Sequence, residues 1–217
     1  MKPALVLFDL DGTIVDSMGV YAKKAAELIS EHYGVPQEIS EEMYLKTSGL
    51  PFLKQLEILF PANERNELVA RSFEEWKGKI VKRLKVDGEA VYVIKSLRER
   101  GVLTAVSSNN LQEYVERIVR GSGVEVDYVL GWDGGTFMKG EPHVKYLERV
   151  SGLSRKDFVM VGDSPNDLKL AKSSGVEFIA LERSFSRNDF LSIDPSVKVI
   201  KSLRELPQTI YGIRGDR

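Results

Sequence analysis

Residues 4–13 read ALVLFDLDGT, and the fold follows from this stretch. Ala4 to Phe8 is an apolar run without alternation, the pattern of a β-strand buried on both faces of a parallel sheet. Asp9 and Asp11 interrupt the run, and Gly12 marks a sharp turn after it. The run is too short for the apolar centre of a signal peptide or for a membrane span.

Downstream, Met18, Tyr21, Ala25 and Leu28 give Ser17 to Tyr33 helical spacing, with Gly34 and Pro36 as stop signals. From Ser40 to Leu84 the pattern stays helical, and Val69, Phe73, Trp76, Ile80 and Leu84 recur on one face. Pro51, Pro61 and Gly78 are expected to divide this stretch into separate helices. No strand pattern occurs between residues 16 and 85, so residues 16–84 are expected to form one helical insertion.

Beyond it the pattern changes. Helices are expected at Glu89–Arg100, Leu111–Arg120, His143–Val150 and Pro165–Ser173, and strands at Val102–Val106, Val126–Leu130, Phe158–Val161, Val176–Ala180 and Val197–Ile200. This alternation specifies an α/β class, a Rossmann-like parallel sheet with helices on both faces, built from residues 1–15 and 85–217. In such sheets ligands bind at the carboxyl ends of the strands.

The 217 residues suffice for a sizeable core plus an insertion. Lys plus Arg, at 31, nearly cancels Asp plus Glu, at 32, so no global field recruits nucleic acid or an anionic membrane. Any anion must be bound locally. Cysteine is absent, which removes disulfides and thiolate chemistry and makes a cytoplasmic address the default expectation.

The predicted strand ends carry Asp9 and Asp11, Ser107, and Asp163 with Asp167. Parallel strands bring these residues to one rim. Two carboxylates about 4 Å apart repel by about 4 kcal/mol at an effective dielectric of 20, so such a cluster implies a cation. Oxygen-only ligands select a hard ion, and Mg²⁺, which keeps sites for phosphate oxygens, suits them best. At the ordinary carboxylate value Asp9 is expected to be ionised at neutral pH and to need no base to attack phosphorus; Asp11 is expected to protonate a leaving alkoxide and then to deprotonate water. Lys139 is expected to neutralise nucleophile and phosphoryl group. Ser107 and the groups that follow it, Ser108 and Asn109, are expected to hold phosphate oxygens where a helix opens.

These residues fall in four motifs: FDLDGTIVDS, AVSSN, KGEP and VGDSPNDLKLAKSSG. In that order, and over nearly the whole chain, they resemble the motifs of the haloacid dehalogenase-like hydrolases. The resemblance implies that Asp9 is the nucleophile and a Mg²⁺ ligand. It makes Asp11 the general acid and base, with its backbone carbonyl on the metal. Ser107 and Lys139 would bind phosphate, Asp163 would ligate the metal, and Asp167 would support it. The helical block resembles the α-helical cap of phosphoglycolate phosphatase-like members, with Thr47, Ser48 and Gly49 as candidate substrate contacts. Members that attack carbon replace the second motif aspartate; Asp11 is present here, which favours phosphoryl chemistry.

The expected reaction is hydrolysis of a small organic phosphate monoester through an aspartyl-phosphate. A sugar phosphomutase of the same fold is one alternative, and a phospho-accepting receiver domain, normally shorter and without a cap, is another. The expected partner is a small phosphorylated metabolite, with neither nucleic acid nor membrane, and no oligomeric state is implied. His32 and His143 show no metal or triad spacing and are expected at the surface. Trp132 and Phe137 are expected to pack. The KGKIVKRLK run, residues 77–85, is expected to be a solvated amphipathic helix.

Overall fold

The computed structural model describes residues 3–211. In chain order they form β1 (Leu5–Phe8), α1 (Met18–Tyr33), α2 (Gln37–Lys46), α3 (Phe52–Leu59), α4 (Asn66–Ile80), α5 (Gly88–Glu99), β2 (Leu103–Leu111), α6 (Gln112–Gly121) and β3 (Tyr128–Trp132). There follow α7 (Glu141–Ser151), β4 (Phe158–Gly162), α8 (Pro165–Ser173), β5 (Glu177–Leu181), α9 (Arg187–Leu191), β6 (Lys198–Ile200) and α10 (Leu206–Tyr211).

Every side chain of β1 is at most 1% exposed, because β1 lies in the middle of the sheet. The order is β3-β2-β1-β4-β5-β6, all parallel, with Phe8 level with Val106 of β2 and Val161 of β4. The period of two along a strand sends Val6 and Phe8 to one face and Leu5 and Leu7 to the other. The first face is covered by Ile94 and Leu97 of α5 and Ile118 of α6. The second is covered by Val144 and Leu147 of α7 and Leu168 of α8. The expected α/β architecture with helices on both faces is thus the observed one.

Two boundaries differ from the sequence reading for identifiable reasons. Strand β2 runs on through the polar Ser107, Ser108, Asn109 and Asn110, with a register shift against β3 between Ser107 and Leu111. Ser107 therefore lies inside a strand and does not open a helix. Strand β3 begins later than expected because Asp127 turns its carboxylate onto the amide and hydroxyl of Thr104, at 2.8 and 3.0 Å. The short helices α9 and α10 were not foreseen, although Ser186 and Asp189 form a capping box at the start of α9.

Between residues 16 and 85 the chain is helical, as expected, and α1–α4 share an apolar cluster of their own around Tyr21, Leu56, Val69 and Phe73. Phe52 and Phe73 meet with ring centroids 4.4 Å apart. Breaks fall at Pro51 and around Pro61, but not at Gly78: α4 runs straight through it. A Cβ there would sit 2.6 Å from the Tyr114 hydroxyl, so Gly78 marks a close approach to α6 instead of a break. An unforeseen break lies at Gly49 (φ 85°), where a Cβ would come within 2.5 Å of Ser164 Oγ. Among the described residues no helix is long and apolar enough to cross a membrane.

Candidate active site

Asp9 is the first residue past β1, and its amide donates to Val161 O at 2.9 Å, which fixes it to the adjoining end of β4. Asp163 follows the end of β4, and Asp167 lies in the first turn of α8. These three carboxylates, all buried, each offer an oxygen within 4.8 Å of the others. The convergence expected from the sequence is therefore present, although the positions are more than 150 residues apart.

Lys139, from the loop before α7, reaches this cluster. Its ammonium donates to Asp9 Oδ1 and, at 2.5 Å, to Asp167 Oδ1. The loop lacks regular structure, but Asn109 Oδ1 accepts from the Lys139 amide at 3.3 Å and steadies it. Asp167 is itself fixed: Ser164, at the N-terminus of α8, donates amide and hydroxyl to Asp167 Oδ2 at 3.2 and 2.8 Å in a capping box. Gly162 leaves room for this carboxylate, since a Cβ there would lie 2.6 Å from Asp167 Oδ2.

Burial raises the Asp9 carboxyl; the Lys139 ammonium pulls it back, the Asp167 and Asp11 charges oppose that, and it stands at about 7. Burial followed by the charges of Asp9 and Asp167 likewise raises Asp163. Burial alone would lower the ammonium of Lys139, but the carboxylates of Asp167 and Asp9 outweigh it and hold it above its ordinary value. When all three carboxylates are ionised, one ammonium leaves negative charge uncompensated, in line with the raised values of Asp9 and Asp163. An added hard divalent cation fits this donor set, all oxygen with no thiol or imidazole on the cluster.

Asp11 is held apart from the cluster, on the side of the helical block. Ser17 Oγ donates to its Oδ1 at 2.5 Å, and Asn110 Nδ2 donates to its Oδ2 at 2.5 Å. The Tyr21 side chain lies nearby, and after burial the Asp11 charge is the largest influence that raises its hydroxyl. Ser108 and Asn109 line the cavity above the cluster, as do Ser48 and Gly49; Thr47 does not, its hydroxyl donating instead to Gln55 Oε1 at 2.8 Å. Two contacts carry the loop of residues 47–51 onto the sheet rim: Asn109 Nδ2 donates to Gly49 O at 3.3 Å, and Asn166 Nδ2 to Ser48 O at 2.5 Å.

Ser107 is fully buried and does not line the cavity. Its hydroxyl lies 2.8 Å from His143 Nδ1, while His143 Nε2 lies 3.2 Å from Gly131 O. A carbonyl only accepts, so Nε2 carries the hydrogen and Nδ1 accepts from Ser107. The surface position expected for His143 is thus wrong: it is 0% exposed and packs on Phe137 at 4.6 Å. Phe137 packs as expected. Residues 77–85 also depart from expectation, because Lys77 is buried and donates to Asn110 Oδ1 at 2.5 Å. The apolar face of α4 encloses the Lys77 stem, a burial no charge pattern reveals.

Thr13 and Tyr21 were not singled out in the sequence. Thr13 Oγ1 lies 3.1 Å from Asp9 Oδ2 and 3.3 Å from Asp163 Oδ1, tying two carboxylates together. Its place in the DGT turn was the available signal; Tyr21, on a helical apolar stripe, offered none.

Residues 6–181 match the family described as Haloacid dehalogenase-like hydrolase. A protein from Caldanaerobacter subterraneus named "Putative pyrophosphatase PpaX" is 28% identical over 100% of this chain and 98% of its own length. Phosphoglycolate phosphatase 1 of Pseudomonas aeruginosa is 25% identical over 94% of this chain and 78% of its own. A crystal structure from Clostridium acetobutylicum, described as "a predicted phosphatase", has the same fold, with a TM-score of 0.82, 20% identity and coverage of 98% and 100% of the two chains. With the family match spanning most of its length, the chain belongs to the haloacid dehalogenase-like hydrolases.

Proposed function

We propose that the protein is a Mg²⁺-dependent phosphatase that hydrolyses a small organic phosphate monoester through a phosphorylated Asp9. One observation carries this reading: the buried carboxylates of Asp9, Asp163 and Asp167 meet around the ammonium of Lys139 at the carboxyl ends of β1 and β4. The phosphatase and pyrophosphatase names of the relatives agree with it.

Asp9, Asp163 and the backbone carbonyl of Asp11 would hold the ion, with Asp167 in support. When bound, Mg²⁺ neutralises phosphate oxygens and the excess carboxylate charge. Asp9 Oδ attacks phosphorus, forming an acyl phosphate as the ester P–O bond breaks. Asp11 gives its proton to the departing alkoxide, then takes one from the water that attacks phosphorus and regenerates Asp9. Ser17 and Asn110 orient the Asp11 carboxyl for both transfers. Lys139 holds charge on Asp9 and on the phosphoryl group, and Ser108 and Asn109 bind its oxygens. Ser107, bonded to His143 and outside the cavity lining, holds the strand that carries them.

The helices of residues 16–84 act as the cap that selects the substrate, and residues 1–15 with 85–217 form the catalytic core. Of that core, residues 1, 2 and 212–217 lie outside the described residues. The cytoplasmic site of action also belongs to this proposal. Its test is phosphate release from a panel of sugar, nucleotide and two- or three-carbon phosphates with Mg²⁺. Release from none of them, or a phosphoryl group returned only to a sugar phosphate, would overturn it.

A further inference from the structure

The cavity between the helical block and the sheet rim has a volume of about 450 Å³, within the range of pockets that bury a drug-sized ligand. The phosphoryl group would occupy only the floor, beside Asp9, Lys139 and Asp163. A two-carbon alcohol part would leave most of the rest wet.

Above that floor the walls are apolar. Met18 comes from α1, Leu50 from the loop before α3, Leu53 from α3, Phe73 from α4, and Trp132 and Met138 from the opposite rim. The indole N–H of Trp132 donates to Gly135 O at 2.9 Å, so only its ring is left to meet a ligand.

Polar side chains on the same walls are already engaged with one another. Gln55, 2% exposed, accepts from Thr47 at 2.8 Å and donates to Leu50 O at 2.9 Å. The Lys77 ammonium donates to Asn110 at 2.5 Å and Glu74 at 3.1 Å and lies 5.3 Å from the Tyr21 ring. A carboxylate or second phosphate in the alcohol part would have to displace these bonds. Two further cations line the mouth, Lys54, paired with Glu57 at 2.7 Å, and Arg71; both are exposed, where an ion pair adds little.

We infer that the substrate is a phosphate monoester of an apolar, ring-sized alcohol, whose ring packs against Met18, Leu53, Phe73 and Trp132. This rests on the phosphatase reading and gives its substrate class, one distinct from the small anionic compounds in the relatives' names. Recognition comes from burial of apolar area, which a compact anionic alcohol part would leave wet.

The test compares phenylpropyl phosphate with phosphoglycolate and inorganic pyrophosphate as substrates, and titrates the Mg²⁺-loaded protein calorimetrically with phenylpropyl phosphonate and phosphonoacetate. The expected result is about tenfold higher kcat/KM and about tenfold tighter binding for the phenylpropyl compounds, equivalent to about 1.4 kcal/mol. Leu53→Trp, which fills the chamber, should cut that preference about tenfold. Equal or better use of phosphoglycolate or pyrophosphate, with phosphate released, overturns this inference and leaves the phosphatase reading standing. Tighter binding of phenylpropyl phosphonate without phosphate release from any ester overturns the phosphatase reading and supports the ligand class of the chamber.

Discussion

The hydroxyl of Ser107 lies 2.8 Å from Nδ1 of His143, joining the second strand of the sheet to α7 beneath the cavity floor. Burial, the largest influence, lowers the imidazole to about 4 from its ordinary 6.5. The folded state therefore refuses a proton that the unfolded chain accepts between those values. Stability from this group is present above pH 6.5 and lost as pH falls through 4, by about 3 kcal/mol in all. Denaturant titrations of wild type and His143→Asn should show the wild-type advantage shrinking by that order between pH 7 and pH 4. A constant advantage would refute the neutral, Ser107-bound imidazole.

Asp9→Asn should abolish phosphate release while the far-ultraviolet dichroism and unfolding midpoint stay near wild type. The amide cannot form the acyl phosphate, yet it relieves crowding among buried carboxylates. Turnover at wild-type rates would remove Asp9 from the mechanism.

Asp11→Asn tests a different step. It keeps the shape that Ser17 and Asn110 grip but carries no transferable proton, so kcat should fall about 10²- to 10⁴-fold. The deficit should be smaller for esters with acidic leaving groups, which need no proton to depart. Equal losses across leaving groups would reassign the proton transfer.

Mg²⁺ should raise the thermal midpoint, and a chelator should reverse the gain. The sign of its pH dependence follows from Asp9. Without the ion, its carboxyl at about 7 contributes stability that is complete below 3.8 and is lost as pH rises through 7. Protons and Mg²⁺ compete for the same oxygens, so the stabilisation by Mg²⁺ should be larger at pH 8 than at pH 5. Calorimetric scans at both values decide it; an equal or larger gain at pH 5 would argue against an ion on these carboxylates.

Gly49→Ala should cost about 1–3 kcal/mol. Its φ of 85° strains any side chain, and the added Cβ would meet Ser164 Oγ at 2.5 Å, beside the capping box that holds Asp167. Denaturant titration measures the loss, and Gly34→Ala, with φ 72° but open space, is the control for strain alone. Equal losses in the two variants would remove the steric role of Ser164.

Much of the fold lay open in local pattern. An unbroken apolar run such as Leu5–Phe8 has only one comfortable home, the middle of a covered parallel sheet, and Pro165 after Ser164 fixed the start of α8 to the residue. Asp9, Asp163 and Asp167 were likewise legible, because parallel strands place their carboxyl ends on one rim whatever the distance along the chain, whereas Lys139, on an irregular loop, was legible only through the family resemblance and its charge. Gly78 was misread because a glycine that permits close approach and one that breaks a helix look alike until Tyr114 is seen opposite it.

His143, Lys77 and Ser107 show where tertiary structure decided. Whether an imidazole or ammonium is buried depends on partners from remote elements, here Ser107 and Gly131 for His143 and Asn110 for Lys77. The sequence alone pointed to the rim that Asp9, Asp163 and Asp167 share, since the apolar runs that mark the strands are local patterns. The direction each side chain turns, and the apolar chamber above the carboxylates, came only with the packing of α1–α4 over the sheet, because burial is a property of surfaces brought together from distant parts of the chain.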